Sequence, residues 1–232
     1  MRQIVLDTET TGLEVSQGHR IIEIGCVELV NRRVSGNHWH FYFNPEREVD
    51  SGAFEVHGIS NEFLQDKPRF SEMADAFLEF VRGAELVIHN AAFDVGFLDH
   101  ELSRLDQPAA PLQEVCSILD TLLLARQKHP GQKNNLDALC KRYGIDNSHR
   151  SLHGALLDAR ILADVYLAMT GGQASLGLDI EAGEVAGETQ LEVQRVDSGQ
   201  PLPLWQPDAA ALAANQEYIE FLKTQHDDPA WK

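Results

Sequence analysis

The sequence has no run of about 18 apolar residues, so no helical membrane span is expected. It holds only three cysteines, Cys26, Cys116 and Cys140, far apart and without a C-x-x-C pair. That spacing argues against a zinc site or a disulfide framework. Thiols among apolar neighbours are expected to stay reduced in a cytoplasm. The first residues run straight into a strand-like segment with no signal-peptide layout. Glycine-rich phosphate loops of both common types are missing, as is a serine nucleophile elbow. No internal repeat is present. Positive charge is scarce: 19 Lys and Arg stand against 36 Asp and Glu, a net −17. This argues against strong non-specific nucleic-acid binding by the chain alone.

The charge is unevenly spread. Residues 1–170 carry a net −9, and the much shorter stretch 171–232 carries −8, with 11 acidic and 3 basic residues. From Gly171 to about Pro203, Gly, Glu, Gln and Ser dominate, which reads as a flexible linker. The organisation expected is a domain over residues 1–171, a linker over 172–203 and a terminal tail over 204–232. In the tail, Asp208–Lys223 has the spacing of a short amphipathic helix using Leu212, Tyr218, Ile219 and Leu222, with Trp205 and Trp231 beside it. So short a segment cannot bury these groups by itself, and they read as anchors for a partner.

What the first domain does have is alternation. Ile4-Val5-Leu6 reads as a buried strand, followed by strands at Ile21–Val30 and Trp39–Phe43 joined by a turn over Asn31–Asn37. Asp50, Ser51 and Gly52 read as loop. Ser71–Val81 has helical spacing and stops at Gly83. Leu86-Val87-Ile88 is a short apolar strand, and the next helix carries Asp94, Phe97, Leu98, Leu102 and Leu105 on one stripe. A strand at Val115–Leu119 and helices at about 120–128, 136–143 and 154–169 complete an α/β domain.

Carboxylates stand where apolar side chains are expected. Asp7 and Glu9, two apart on a strand, project to one face. Asp7–Gly12 reads either as a polar turn or as a carboxylate pair that a hard divalent cation would stabilise. Thr8, between them, points to the other face and receives no metal-binding role. Asp94 in a first helical turn is favoured by the helix dipole alone, yet it points with the core stripe. Asp158 lies on the apolar stripe of its helix with Ala155, Leu162, Val165, Tyr166 and Met169. A buried carboxylate is costly unless it is paired or binds metal. His153 reads as a loop residue entering that helix, either a cap or a group leaning over the same site. Four acids and one histidine suit two divalent ions of the kind used for phosphodiester displacement.

In order and spacing, Asp7-Thr8-Glu9, His89–Asp94 and His153–Asp158 resemble the three motifs of the DEDDh 3′→5′ exonucleases. Val5–Gly12, Ile22–Gly25, Val56–Ile59, Gly83–Phe93, Asn135–Cys140 and Leu152–Gly171 extend the likeness to the proofreading subunits of bacterial DNA polymerase III. The resemblance covers about residues 2–171. It implies an RNase H-like fold, a mixed five-stranded sheet flanked by helices. It implies two ions, Mg²⁺ or Mn²⁺, held by Asp7, Glu9, Asp158 and Asp94, with His153 as general base and a nucleoside 5′-monophosphate as product. Further, it implies that His57, Asn90 and Phe93, with Asp7, Glu9 and Asp158, contact a single-stranded 3′ end of DNA. Gly52 is a departure, since closely related chains often carry an acid there. Gln173, Ser175, Leu176 and Leu178 resemble a motif for docking on a sliding clamp. The tail would bind the polymerase's catalytic subunit, and a small accessory subunit remains open. Competing readings are an RNA-trimming relative of the oligoribonuclease or RNase T type, and a catalytically dead scaffold between polymerase and clamp.

Overall fold

A computed structural model describes residues 1–148, 152–171 and 208–225. They fall into two units, Met1–Gly177 and Leu178–Lys232. The first unit is built on a five-stranded mixed sheet in the spatial order Arg33–Tyr42, Ile21–Val30, Arg2–Thr10, Glu85–Ile88 and Ser117–Asp120. Its strands are β1 (Arg2–Thr10), β2 (Ile21–Val30), β3 (Arg33–Tyr42), β4 (Glu85–Ile88) and β5 (Ser117–Asp120). β1 runs antiparallel to β2 and parallel to β4, and β4 runs parallel to β5. The helices are α1 (Ser51–His57), α2 (Asn61–Leu64), α3 (Phe70–Val81), α4 (Ala91–Ser103), α5 (Leu112–Val115), α6 (Thr121–Lys128), α7 (Leu136–Tyr143) and α8 (Ala155–Thr170).

Three local expectations change. The turn expected over seven residues is a two-residue hairpin, with Asn31 and Arg32 at φ 49° and 63°. Two successive left-handed residues match the twist of the flanking strands. β3 therefore begins at Arg33; its first half is polar because β3 is an edge strand whose residues 33–38 are exposed. The loop expected at Asp50–Gly52 instead opens α1, which Gly58 ends at φ 70°. Residues 112–115 close a short helix, so β5 starts at Ser117 rather than Val115.

The two faces of β1 meet different helices. Ile4 and Leu6 share a core with Phe77 of α3 and Phe97 and Leu98 of α4. Val5 packs with Ala159, Leu162, Ala163 and Tyr166 of α8. Alternation then decides where the next residues point. Thr8 continues the face toward α4, while Asp7 and Glu9 continue the face toward α8. The chain leaving β1 is tied down by Arg20, whose Nε and Nη2 each donate to Glu101 of α4 at 2.6 Å. Glu101 is buried, and removing one partner of such a pair costs roughly 3–5 kcal/mol.

All three cysteines are buried. The second unit contributes α9 (Ala209–Gln225), whose start is capped by Asp208: its Oδ1 accepts from the Ala211 amide at 2.8 Å. The expected tail helix is thus present. Leu212, Tyr218, Ile219 and Phe221 are exposed on it. The segment 173–178, Trp205 and Trp231 lie outside the described residues, as does the side chain of Leu222. Among the described residues, no helix is long and apolar enough to cross a membrane.

Candidate active site

One cleft of about 280 Å³ at the C-terminal end of β1 is lined by Asp7, Glu9, Asp94, His153 and Asp158 together, with Asn90 and Phe93 on its wall. Four local reasons bring the five into place.

Asp7 and Glu9 arrive by strand alternation. In the β1–β2 ladder they stand opposite Gly25 and Glu23. Gly25 decides how close α8 can come, because a Cβ there would collide with the backbone of Ala155 and Leu156. Its missing side chain lets the first turn of α8 lie against β2. That turn carries Asp158, buried at 3% exposure, to the face of Asp7 and Glu9. His153 lies in the approach to α8, as expected. Its Nδ1 is 3.4 Å from Asp158 Oδ2, and its amide donates to the Val56 carbonyl at 3.1 Å. α1, which reads as loop in the sequence, is therefore part of what places this histidine. Ligand atoms of Glu9, His153 and Asp158 all lie within 4.8 Å of one another.

Asp94 comes from the other side of β1. It sits in the first turn of α4, also 3% exposed. Burial pushes its carboxyl up to about 7, against hydrogen bonds from Thr8 that pull it down. Thr8 Oγ1 donates to Asp94 Oδ1 at 2.7 Å. Thr8 does point to the other face, and what it meets there is the fourth carboxylate, so its role is to hold Asp94. The abrupt start of α4 uses Asn90 in a left-handed conformation, φ 67°. Asp120 fixes that start: its Oδ2 accepts from the Ala91 amide at 3.1 Å, and its Oδ1 accepts from the amides of Leu122 and Leu123. One carboxylate thus holds the N-termini of α4 and α6. Thr8, Gly25 and Asp120 are the supporting residues that sequence reasoning missed. The only local signal was an acid between a strand and a helix, at Asp120.

His57 lies outside this cleft, in an adjoining pocket of about 560 Å³ that includes Leu13, Val56 and Phe93. Thr8, Glu9 and Phe93 line both spaces. His57 is buried; its Nδ1 accepts from the Ile59 amide at 3.0 Å, while its buried Nε2 has no hydrogen-bond partner. Burial, chiefly, lowers its pKa. Gly52 lines the same pocket with open space where a side chain would stand.

Residues 4–166 match the RNase_T family, described as exonuclease. The chain is 56% identical over 199 residues to DNA polymerase III subunit epsilon of Escherichia coli K12, covering 84% of this chain and 82% of that one. The same subunit of Salmonella typhimurium LT2 is 49% identical over 236 residues, covering 100% and 97%. Among solved structures, exonuclease X in complex with 5′ overhanging duplex DNA is 26% identical at a TM-score of 0.56, covering 74% of this chain and 92% of that one. The zinc-bound form of an E. coli exonuclease I complex with single-stranded DNA shares the fold, with a TM-score of 0.63 at 21% identity over 74% and 41%. The mixed sheet has the RNase H-like exonuclease architecture that the motifs imply. With about half of its residues shared along nearly its whole length, the chain belongs to the exonuclease family, among the DNA polymerase III epsilon subunits, as a 3′→5′ proofreading exonuclease.

Proposed function

We propose that the cleft cleaves the last phosphodiester of a single-stranded DNA 3′ end with the help of two divalent ions, Mg²⁺ or Mn²⁺. The observation that carries this reading is the convergence of Asp7, Glu9, Asp94 and Asp158, from β1, α4 and α8, on one cleft. The donors are hard oxygens, which suit Mg²⁺ and Mn²⁺. A cation beside Asp94 would restore the charged form that burial disfavours. Asp7, Glu9 and Asp158 would hold one ion, and Asp7 with Asp94 the other. When bound, the ions supply positive charge against that developing on the phosphate and the leaving 3′ oxygen.

The chain's own groups do the rest. His153, exposed at the cleft beside Asp158, takes the proton of the attacking water. The adjoining pocket receives the terminal nucleoside against Phe93, with the unsatisfied His57 Nε2 as a polar contact. Asn90 sits on the cleft wall where the strand passes. Mismatched ends fray at lower cost, by up to a few kcal/mol, so preference for mismatches needs no reading of base identity. The product is a nucleoside 5′-monophosphate.

The exposed apolar residues of α9 support docking on the polymerase's catalytic subunit, and residues 173–178 are proposed to meet the sliding clamp, in the cytoplasm. Tethering supplies the effective concentration that an acidic chain lacks for DNA. Hydrolysis of a 3′-labelled mismatched primer should require a divalent ion, outpace that of the paired primer, and exceed that of a matched RNA. Equal rates on paired and mismatched ends would refute the editing reading. Removing residues 172–232 should spare hydrolysis and abolish polymerase binding; retained binding would refute the tail's role.

A further inference from the structure

We propose that a basic pocket beside the catalytic cleft, built around Arg126 and Lys133, binds backbone phosphates of the DNA strand upstream of the scissile bond. The proposal rests on the nuclease reading and extends it to the part of the substrate that is not cleaved.

Charge singles the region out. In a chain of net −17, residues 120–142 hold five basic side chains, Arg126, Lys128, Lys133, Lys141 and Arg142, against two acids, Asp120 and Asp137. Asp120 is engaged by three backbone amides. A pocket of about 540 Å³ opens here, lined by Arg126, Gln132, Lys133 and Asn134 together with His89 and Asn90. His89, Asn90 and Asn135 line the catalytic cleft as well, so the two spaces are continuous. Asp137 lies on the cleft and not in the basic pocket.

The pocket is preformed. Arg142 donates to the Lys133 carbonyl at 2.9 Å and to Asn134 Oδ1 at 3.1 Å. Asn134 Nδ2 in turn donates to the carbonyls of His129 and Gln132, each at 3.1 Å. The loop between α6 and α7 is thereby held as one piece. Arg142 braces it from behind, while Arg126 and Lys133 are exposed. Among the described residues neither of these two side chains is in an ion pair. Two exposed cations without an ion-pair partner, set beside a loop that is held rigid, suit the charged oxygens of phosphodiesters.

The neighbouring spaces set the direction of the strand. The pocket containing Leu13, Val56 and Phe93 adjoins the cleft through Thr8, Glu9 and Phe93 and is mainly apolar, which suits a base. The basic pocket adjoins it through different residues. A strand whose last nucleoside fills the apolar pocket, with its last phosphodiester at the acids, has its preceding phosphates available to Arg126 and Lys133. These two cations would offset the repulsion that a −17 chain presents to DNA at the one place where the strand must pass.

The test uses the full chain with Mn²⁺ and two substrates. One is the 12-mer (dT)12; the other is the p-nitrophenyl ester of thymidine 5′-monophosphate, which has no upstream phosphate. In the double variant R126A/K133A, KM for (dT)12 should rise about 10-fold or more. Its salt dependence should become shallower by about 0.7 in log–log slope for each phosphate no longer neutralised. Turnover of the ester should stay as in the wild type, which also shows that the variant is folded. R126E/K133E should deepen the defect, and R33A, on the edge strand, should leave both substrates unchanged. An unaltered KM for (dT)12 in both double variants would overturn the subsite. An equal loss on both substrates would also overturn it, placing the effect on the catalytic centre. A wild-type chain inactive on both would sink the nuclease reading itself.

Discussion

Asp158 on α8 and Asp94 on α4 are equally buried, 3% exposed each, and both sit in the first turn of a helix. They reach the end of β1 from opposite faces of the sheet and are positioned by different means. Asp158 is set by shape: α8 can approach only because β2 has a glycine at position 25. Asp94 is set by chemistry, a single hydroxyl on the opposite face of β1 that donates to it. One strand therefore organises all four carboxylates, two directly, one through its β2 neighbour and one through Thr8. Rigid placement of this kind is what electrostatic catalysis needs.

Substitution should separate the two modes of placement. The largest effect is expected for Asp158→Asn and Asp94→Asn, each lowering kcat on a single-stranded oligonucleotide by a factor on the order of 10³; a tolerated change at either position would mean that the two acids are not partners. Next comes Gly25→Ala. The added carbon must push α8 away, and a displacement of about 1 Å costs on the order of 10²-fold in rate, measured as kcat beside a thermal melt that confirms folding. Thr8→Val keeps the shape and removes the hydroxyl. It should weaken divalent-ion affinity by roughly 10-fold or more, with Thr8→Ser restoring most of it; titration with Mn²⁺ reads this directly.

The smallest effect concerns pH. Burial raises the Asp94 carboxyl to about 7 in the folded chain from an ordinary 3.8. Between those values the folded state binds more protons than the unfolded state, so stability is lost as pH rises through this window. In chelator, the thermal midpoint should fall by a few degrees between about pH 5 and 8. Asp94→Asn should flatten that dependence, and added Mn²⁺ should oppose it in the wild type.

The four carboxylates are legible in the sequence because each breaks a local pattern, spaced by two on a strand or set on an apolar helical stripe, whereas His153 is legible only by its nearness in sequence to Asp158. The central strands and the long helices are legible for the same reason, since apolar periodicity records burial. The role of Thr8 is not, although strand alternation gives its direction. Its partner is 86 residues away, and only the packing of α4 brings them together. Gly25 carries no side chain to notice, and its importance lies in what approaches it. The first half of β3 is unreadable because an exposed edge strand has no buried face to impose alternation. The basic pocket is diluted in the sequence by the acidity of the whole chain, and becomes visible only when α6, α7 and the start of α4 are assembled.

On the proposed reading, these acids form one centre for two divalent ions. Calorimetric titration of Mn²⁺ into the wild-type chain, with saturating thymidine 5′-monophosphate present, tests it most directly. Two ions bound per chain are predicted, falling to one in Asp94→Asn with the fold intact by thermal melt. A single ion in the wild type, or unchanged stoichiometry in Asp94→Asn, would rule out a two-ion centre.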